Sequence, residues 1–512
     1  MAENLLTSSI AAPGFMGVNT QDSSVSLESG YATVASNCII DKFGRIGARK
    51  GWLPKHSSNA DLGSADIKAI GELIAADGTS YIIAAGNNKI FKLNGSTLTK
   101  LTYGGGGVAP TISNDKWQMA PLNGVLFLYQ SGHDPLVFDP TVSTTTFRRV
   151  SEKTGYLGTV QQANCVVSAY GRTWSANTAT DKNTVQFSDL LSGHVLNTGS
   201  SGSLNVAQVW PSGADEIQGL AAHNNYLYIF GRRQILIYQG ANDPTNMSLA
   251  DTVSGIGCCS RDSIKVTGDD IIFLSDSGVR SMKRVVQERS APLRDMSMNV
   301  RDDLVKALAS EDLSDIKAVY SDSNAFYLLV LPVNHISYCF DMRTTLQNGA
   351  ARTTTWTLAP SALFANRAKE LLIGTAGYVG SYTGNLDNTS TYPMSYYTNY
   401  FDLGSPTAIK VLKKISFSMV GGSGAAVVLK YGFDYSNNYS SEFLQLGSYT
   451  IAEYGIAQYN IDEYSVGVVF DNKKVQVGGA GNVIQLGVET NINNFDLSIQ
   501  KLDIFCKAGR TR

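Results

Sequence analysis

Charge is scarce in this sequence. Asp, Glu, Lys and Arg make up 16% of its 512 residues, whereas ordinary soluble domains carry about 25%. The 41 basic side chains nearly balance the 43 acidic ones, and the formal net charge is −2. Proteins that grip nucleic acid do so largely through clustered positive charge. The composition therefore excludes a chain whose whole surface holds DNA or RNA electrostatically.

Long apolar runs and secretion features are also lacking. No stretch approaches the roughly 18 apolar residues that a membrane-spanning helix needs, and the N-terminus has neither the basic region nor the apolar region of a signal peptide. The six cysteines are scattered and form no C-x-x-C motif. We therefore expect no membrane insertion, and we expect the thiols to be reduced and buried.

The residues that are abundant favour an all-β protein. The chain contains 49 Gly and 25 Tyr, and 43% of its residues are hydrophobic. Aromatic side chains fit pleated sheets and Gly fits turns, so this composition excludes a helical bundle. One short helix is predicted over 297–309, where Met298, either Val300 or Leu304, and Leu308 share a face and Ser297 is the expected cap.

Between residues 70 and 385 the pattern predicts a series of hairpins. Corresponding strand positions recur at intervals of 44 to 57 residues, near Tyr81, Leu126, Tyr170, Leu227, Ile272, Tyr327 and Leu372. A repeat of about 40–50 residues per small antiparallel sheet is typical of β-propeller blades. We predict a β-propeller-like domain of six or seven blades. Two unrelated β-sandwiches are the alternative, because spacing alone does not establish that the ring closes.

The pattern changes after residue 388. Longer apolar strands follow there, and in the last of them Leu497, Ile499, Leu502 and Ile504 alternate with a register change near Lys501. These strands predict a C-terminal β-sandwich. The expected domains are an extended arm with a strand closing on the propeller over 1–65, the propeller over 66–388 and the sandwich over 389–512.

Catalytic and cofactor motifs are missing. The sequence has no phosphate-binding loop, no H-E-x-x-H and no EF-hand loop, and its five histidines do not have metal-ligand spacing. The pairs Asp269-Asp270 and Asp302-Asp303 could act as acid and base, but solvated positions are the commoner home of carboxylates. We expect no enzymatic activity, no cofactor and no metal.

One basic stretch lies within 280–294, where Glu288 is the only acidic residue against five basic ones: Arg280, Lys283, Arg284, Arg289 and Arg294. Such a stretch could contact DNA or an acidic partner. A solvated loop rim explains it equally well.

Two groups of motifs resemble a known family. The first comprises Asn37 and the segment Gly44-Arg-Ile-Gly-Ala-Arg-Lys-Gly-Trp52; the second comprises Thr353-Thr-Thr-Trp356, the hairpin over 371–382 and Tyr400-Phe-Asp-Leu-Gly404. In this order they resemble tail nozzle or hub proteins of short-tailed bacteriophages, also called DNA stabilization proteins. Leu403 stands where that family usually has Phe.

The resemblance implies a virion protein made in the host cytoplasm. Such a subunit forms a homohexameric channel below the portal and its adaptor ring, meets tail fibre or needle proteins, and retains double-stranded DNA that later passes through it. The residues expected to contact neighbouring subunits or the adaptor are Arg45, Arg49, Arg280, Lys283 and Arg284.

Two other functions compete with this one. A receptor-binding propeller would stack cell-surface sugars on aromatic loops, for which the candidates are Trp117, Trp174, Trp210 and Trp356. A propeller glycosidase or lyase would need carboxylates that converge near the ring axis.

Overall fold

Strand pairing separates a ring of small sheets from two larger sheets. The computed structural model describes residues 5–24, 26–288, 295–447 and 470–511, and this part of the chain is mostly β. The N-terminal strands are β1 (Leu6–Ala11), β2 (Gly17–Val18), β3 (Tyr31–Ser36), β4 (Cys38–Ile40), β5 (Ile46–Ala48) and β6 (Trp52–Pro54).

The ring consists of small, mainly antiparallel sheets that follow one another along the chain. The first blade contains β7 (Ile67–Ile74), β8 (Ser80–Gly86), β9 (Lys89–Asn94) and β10 (Thr97–Lys100), and the second contains β11 (Thr102–Tyr103), β12 (Gln118–Leu122), β13 (Val125–Tyr129), β14 (Leu136–Phe138) and β15 (Thr146–Arg149). The third contains β16 (Cys165–Ala169), β17 (Arg172–Ala176), β18 (Thr184–Phe187) and β19 (Gly202–Asn205), and the fourth contains β20 (Ile217–His223), β21 (Tyr226–Gly231), β22 (Gln234–Gln239) and β23 (Ser248–Ser254). The fifth blade contains β24 (Lys265–Val266), β25 (Ile271–Ser275) and β26 (Gly278–Ser281). The sixth contains β27 (Lys317–Ser321), β28 (Phe326–Leu331), β29 (Ile336–Thr345) and β30 (Ala351–Trp356), and the seventh contains β31 (Ala362–Ala365), β32 (Leu371–Thr375) and β33 (Tyr378–Tyr382).

The innermost strands close into a circle. Strand β7 contacts β12, and contacts continue in order through β16, β20, β24, β27 and β31, which contacts β7 again. Six of the blades are sheets of their own, and the strands β27 to β30 form a seventh position as part of a longer sheet. The predicted propeller is therefore confirmed, because unrelated sandwiches would not return to their starting strand.

Each blade buries both of its faces against its neighbours. In the second blade, Leu126 and Leu128 of β13 lie in a cluster shared with the first blade. Phe127 and Tyr129 lie in a cluster shared with the third blade. Side chains alternate across a strand, so a strand buried on both sides reads as a continuous apolar run, which is what the hairpin segments show.

The N-terminal chain completes the last blade. Strand β6 pairs antiparallel with β33, with Trp52 opposite Tyr382 and Pro54 opposite Gly380. The outermost strand of the seventh blade thus comes from a segment that precedes the first blade. Hydrogen bonds between residues more than 300 positions apart close the ring.

The C-terminal strands form a β-sandwich, as predicted. They are β34 (Tyr392–Thr398), β35 (Ala408–Gly421), β36 (Ala426–Phe433), β37 (Ser440–Gln445), β38 (Phe470–Gln476), β39 (Ala480–Gly481), β40 (Ile484–Ile492) and β41 (Leu497–Thr511). One sheet has the order β38-β35-β41-β5-β4, and the other runs β27-β28-β29-β30-β2-β3-β34-β40-β36-β37. Opposite Lys501 and Ile499, the pairing of β35 with β41 shifts register, close to the predicted position.

The N-terminal strands are shared between the two parts of the molecule. Strands β1, β4 and β5 belong to the first sandwich sheet and β2 and β3 to the second, while β6 belongs to the propeller. The domain limits at residues 65 and 388 stay a prediction. The strand pairing shows that the N-terminal arm contributes strands to both the propeller and the sandwich.

Two α-helices lie in the described ranges. The predicted helix is present as α2 (Arg301–Leu308), preceded by a 3-10 turn, and it buries Leu304 and Leu308. Ser297 does not cap it; its hydroxyl accepts a hydrogen bond from the backbone of Val279 instead. Helix α1 (Met282–Glu288) was not predicted. No helix in these ranges has the length and apolar content needed to cross a membrane.

All six cysteines are free and buried. Burial raises the pKa of each thiol, to about 12 for Cys165 and to about 11 for Cys258 and Cys506. The thiolate is the reactive form, so little of it exists below pH 10. We expect a thiol reagent at pH 8 to leave the native protein almost unmodified and to titrate six thiols after unfolding in guanidinium. Rapid reaction of the native protein would contradict the burial.

Gly51 provides a test of the ring closure. A Cβ added there would overlap the backbone carbonyl of Leu386, whereas a Cβ at Gly106 would meet no atom within 4 Å. We expect Gly51→Ala to destabilise the protein by about 1–3 kcal/mol through overpacking and Gly106→Ala to leave stability unchanged, as measured by chemical denaturation. Equal stabilities of the two variants would show that the arm does not need this close approach.

Candidate functional site

Asn37 lies where the arm, the sixth blade and the sandwich meet. Its backbone has a φ of +53°, a conformation that Asn tolerates better than most residues. Its side-chain oxygen accepts hydrogen bonds from Nε of Arg49 at 2.9 Å and from the backbone of Thr357 at 3.0 Å, and its amide donates to the carbonyl of Pro393 at 2.7 Å. One side chain therefore ties together three segments that are distant in sequence.

Arg49 is the centre of this joint. Its side chain is fully enclosed, and its two terminal nitrogens donate to the carboxylate of Asp387 at 2.8 and 2.7 Å. The guanidinium carbon lies 4.0 Å from the centre of the Tyr392 ring. A planar bidentate pair of this kind is one that Lys cannot reproduce.

The expectation that Arg49 contacts another subunit stays a prediction, although the interactions of this residue within the chain do not favour it. The residue is 1% exposed, and its donors are used within the chain. Sequence reasoning found Asn37 and Arg49 but missed Asp387, which lies 338 positions from Arg49 and stands in no local motif with it.

Arg45, another predicted contact residue, is also buried and paired within the chain. It lies at the turn between β4 and β5, 7% exposed, with its Nε 2.9 Å from the carboxylate of Asp41 and its guanidinium carbon 4.3 Å from the centre of the Phe43 ring. Phe43 is 54% exposed. This turn therefore presents an aromatic ring, rather than the predicted arginine, to solvent.

The basic stretch divides into buried and accessible parts. Arg280 is 4% exposed, and its guanidinium donates to the hydroxyl of Ser277 at 2.8 Å, so its expected subunit contact stays a prediction that this burial does not favour. Lys283 is exposed, and Arg284 is half-buried and donates to the carbonyl of Gly349. Arg289 and Arg294 lie outside the described residues. A role in subunit contacts stays a prediction for Lys283 and Arg284.

The ring encloses an axial cavity of about 390 Å³, lined by residues from the inner strands of all seven blades. Four charged side chains line this axial cavity: Lys68, Asp262, Lys265 and Lys317. Its remaining wall is largely apolar, with Ile70, Met119, Val167, Leu363 and Phe364. The volume falls at the lower end of the range for small-molecule sites, about 300–1,000 Å³.

Cross-ring contacts tie the loops at one end of the cavity. Arg261, at the start of the fifth blade, donates to the side chain of Asn164 at 2.9 Å and to the carbonyl of Lys116, in the loops before the third and second blades. Lys116 in turn lies 2.8 Å from the carboxylate of Asp315, before the sixth blade. A DNA duplex is wider than its major groove, which alone is about 12 Å across. A cavity of about 390 Å³ is therefore far too small for a duplex.

Asp262 is the only carboxylate among the residues that line the axial cavity in the described part of the chain. Burial raises its pKa, but the charges of Lys317, Arg261 and Lys265 outweigh burial and hold the pKa well below its usual value. A glycosidase of the usual kind needs two carboxylates, one of them able to donate a proton. The cavity does not supply that pair.

The other residues considered for catalysis or sugar binding make hydrogen bonds within the chain or are buried. Asp270 accepts hydrogen bonds from Ile271 and Lys283 backbones at 2.7 and 2.9 Å, and the side chain of Asp302 accepts one from Gln21 at 2.9 Å. The four tryptophans considered for sugar stacking, Trp117, Trp174, Trp210 and Trp356, are at most 6% exposed. No group of three or more His, Cys, Asp or Glu that could hold a metal occurs among the residues with described positions.

Comparison with known proteins identifies no family. No family model and no curated protein matches the chain. Solved structures that resemble it include PorZ of the type-IX secretion system of Porphyromonas gingivalis, at 11% identity over 77% of this chain with a TM-score of 0.37, of which this chain spans 46%. Others are the Neurospora crassa Pan2 WD40 domain (9% identity, 65% of this chain, 96% of that chain, TM-score 0.39) and YCF48 from Cyanidioschyzon merolae (8%, 65%, 99%, 0.39). These scores are too low to argue from, so the fold rests on strand pairing.

The joint at Arg49 can be tested by removing one partner. We expect Arg49→Met to destabilise the protein by about 3 kcal/mol, the lower end of the cost of breaking a buried ion pair, because Asp387 keeps 21% exposure. Asp387→Asn, which preserves shape, should cost less. Lys283→Met is the control, since its side chain is 57% exposed. Urea unfolding curves that match for Arg49→Met and Lys283→Met would refute this role of the joint.

Proposed function

We propose that this chain is a structural subunit of the tail of a short-tailed bacteriophage, a nozzle or hub protein that forms a homohexameric channel below the portal and adaptor. In this proposal the channel retains packaged double-stranded DNA and conducts it at ejection, and tail fibre or needle proteins attach to it. The chain would act in the virion after synthesis in the host cytoplasm, without catalysis.

The observation that carries the proposal is the arm joint. The motifs that resemble the nozzle family lie far apart in sequence, yet their residues contact one another: the carbonyl of Cys38 accepts hydrogen bonds from Thr354 at 2.6 Å and Trp356 at 2.8 Å, beside the Asn37–Arg49 pair. Motifs that recur together in order have a physical reason to do so when they build one joint. This supports a shared architecture with that family.

The dimensions of the ring determine where a DNA channel would run. The axial cavity of one subunit cannot admit a duplex, so the channel of this proposal lies between subunits, around the symmetry axis of the hexamer. Head-to-tail contacts generate such a ring when the rotation between neighbours closes. The net charge of −2 suits a wall past which DNA must slide, because strong counterion-release binding would hold the DNA back.

Exposed side chains supply candidate subunit contacts. Phe43, Val108 and Phe443 are 54, 86 and 80% exposed, and burial of such apolar area stabilises protein interfaces. Lys283 adds an accessible positive charge. The proposal adds residues of this kind to the predicted contacts with neighbouring subunits or the adaptor.

The assembly can be tested directly. We expect the purified protein, alone or mixed with the adaptor of its own phage, to form rings of six subunits with an axial hole in electron micrographs, and light scattering to give six chains per particle. A protein that stays monomeric in both conditions would refute the nozzle assignment.

Lys283 allows a sharper test of the interface. We expect Lys283→Glu to reduce the yield of complete tails in a complementation assay, because it reverses the charge at a contact, while the thermal unfolding of the subunit stays unchanged. Lys474→Glu, at another exposed position, is the matched charge-reversal control. Normal tail yield with Lys283→Glu would remove this residue from the interface.

A further inference from the structure

The axial cavity carries more positive than negative charge. Three basic side chains, Arg261, Lys265 and Lys317, gather around the single carboxylate of Asp262, and each of them influences its ionisation. Lys68 lines the same cavity from the first blade, three blades around the ring from the fifth. Even with Asp262 ionised, the group is left with a surplus of cations in a confined space.

Two of these cations are already neutralised. Lys317 donates to one oxygen of Asp262, and Nε of Arg261 lies 3.3 Å from the other. Both basic residues are more than nine-tenths buried, at 7 and 8% exposure. Each oxygen of Asp262 therefore already has one close cation, and Lys265 is not in direct contact with either oxygen.

Lys265 and Lys68 have no direct partner. Neither ammonium group makes a hydrogen bond or an ion pair in the described part of the chain, although both side chains are partly buried. Each interacts with a carboxylate only at longer range, Lys265 with Asp262 and Lys68 with Asp115. Burial lowers the pKa of Lys265, and the nearby charges of Lys317 and Arg261 lower it further against the opposing effect of Asp262. Taking a cation out of water without a direct counter-charge is costly, and buried charges are normally paired.

We infer that the axial cavity is a binding site for a small oxyanion with two or more negative charges, such as a phosphate group, held between Lys265 and Lys68. The hydroxyl of Ser168 and the amide of Gln118, which also line the cavity, supply further donors. Because Lys317 and Arg261 already contact the two oxygens of Asp262, Lys265 makes no direct ion pair with it and its ammonium group is available to the ligand.

Two ligands share this chemistry. Free phosphate would use the lysines alone, whereas an organic phosphate would also bury an apolar group against Ile70, Leu363 and Phe364. The cavity volume of about 390 Å³ accommodates both. Neither ligand requires the hexamer, so this site and the proposed function stand or fall separately.

Titration calorimetry and thermal unfolding of the full chain test the site, with inorganic phosphate and phenyl phosphate as probes and sodium chloride at equal ionic strength as the reference. We expect both phosphates to raise the Tm beyond the salt reference and to bind with one site per chain. Tighter binding of phenyl phosphate would identify an organic phosphate as the ligand class; equal affinities would identify the free oxyanion.

Matched variants separate the site from the general stabilisation that phosphate gives to protein surfaces. We expect Lys265→Met and Lys68→Met each to weaken binding at least tenfold, and Lys265→Met to be no less stable than the wild type without phosphate, because it removes a cation that burial disfavours. Lys306→Met, at an exposed helix position, should bind like the wild type. Equal binding by Lys265→Met and the wild type, or a Tm gain that sodium chloride reproduces, would overturn the inference.

Discussion

The pairing of β6 with β33 is the contact on which the rest of the molecule depends. It joins the first and last parts of the ring, and the joint of Asn37, Arg49 and Asp387 holds β6 in position beside it. Without this strand, the seventh blade would expose an unpaired edge, and open sheet edges invite pairing with other chains. Bringing such distant segments together has an entropic cost that grows only slowly with loop length, so a short ladder and a buried ion pair suffice to offset it.

The same arm couples the propeller to the sandwich. Strands β2 and β3 continue the hydrogen-bonded sheet of the sixth blade into the sandwich, while β4 and β5 lie in the opposite sandwich sheet. A rotation of one unit against the other would break main-chain hydrogen bonds as well as side-chain contacts. The two units are therefore joined through covalent and hydrogen-bonded backbone.

The hairpins and the blades could be predicted from the sequence because interactions between residues close in the chain determine them. Apolar runs located the hairpins, and their spacing located the blades; Asn87, Asn224 and Asn225 lie in hairpin turns and have positive φ. Contacts between distant segments could not be predicted in this way. Nothing in the sequence near Arg49 indicates that it pairs with Asp387, and nothing near Arg261 indicates that it crosses the ring to Asn164. A basic side chain in an arm has the same local sequence whether its carboxylate lies on a neighbouring subunit or 338 positions away in the same chain, as it does for Arg49.

The order of the strands has a consequence for biosynthesis. Strand β6 leaves the ribosome before every blade, but its partner β33 emerges only after some 320 further residues. A nascent chain must therefore carry an unpaired N-terminal segment throughout translation of the ring, and the apolar faces of the first and seventh blades cannot meet until then. Such non-local closure is slow, so the ring closes only after about three quarters of the given sequence has been synthesised.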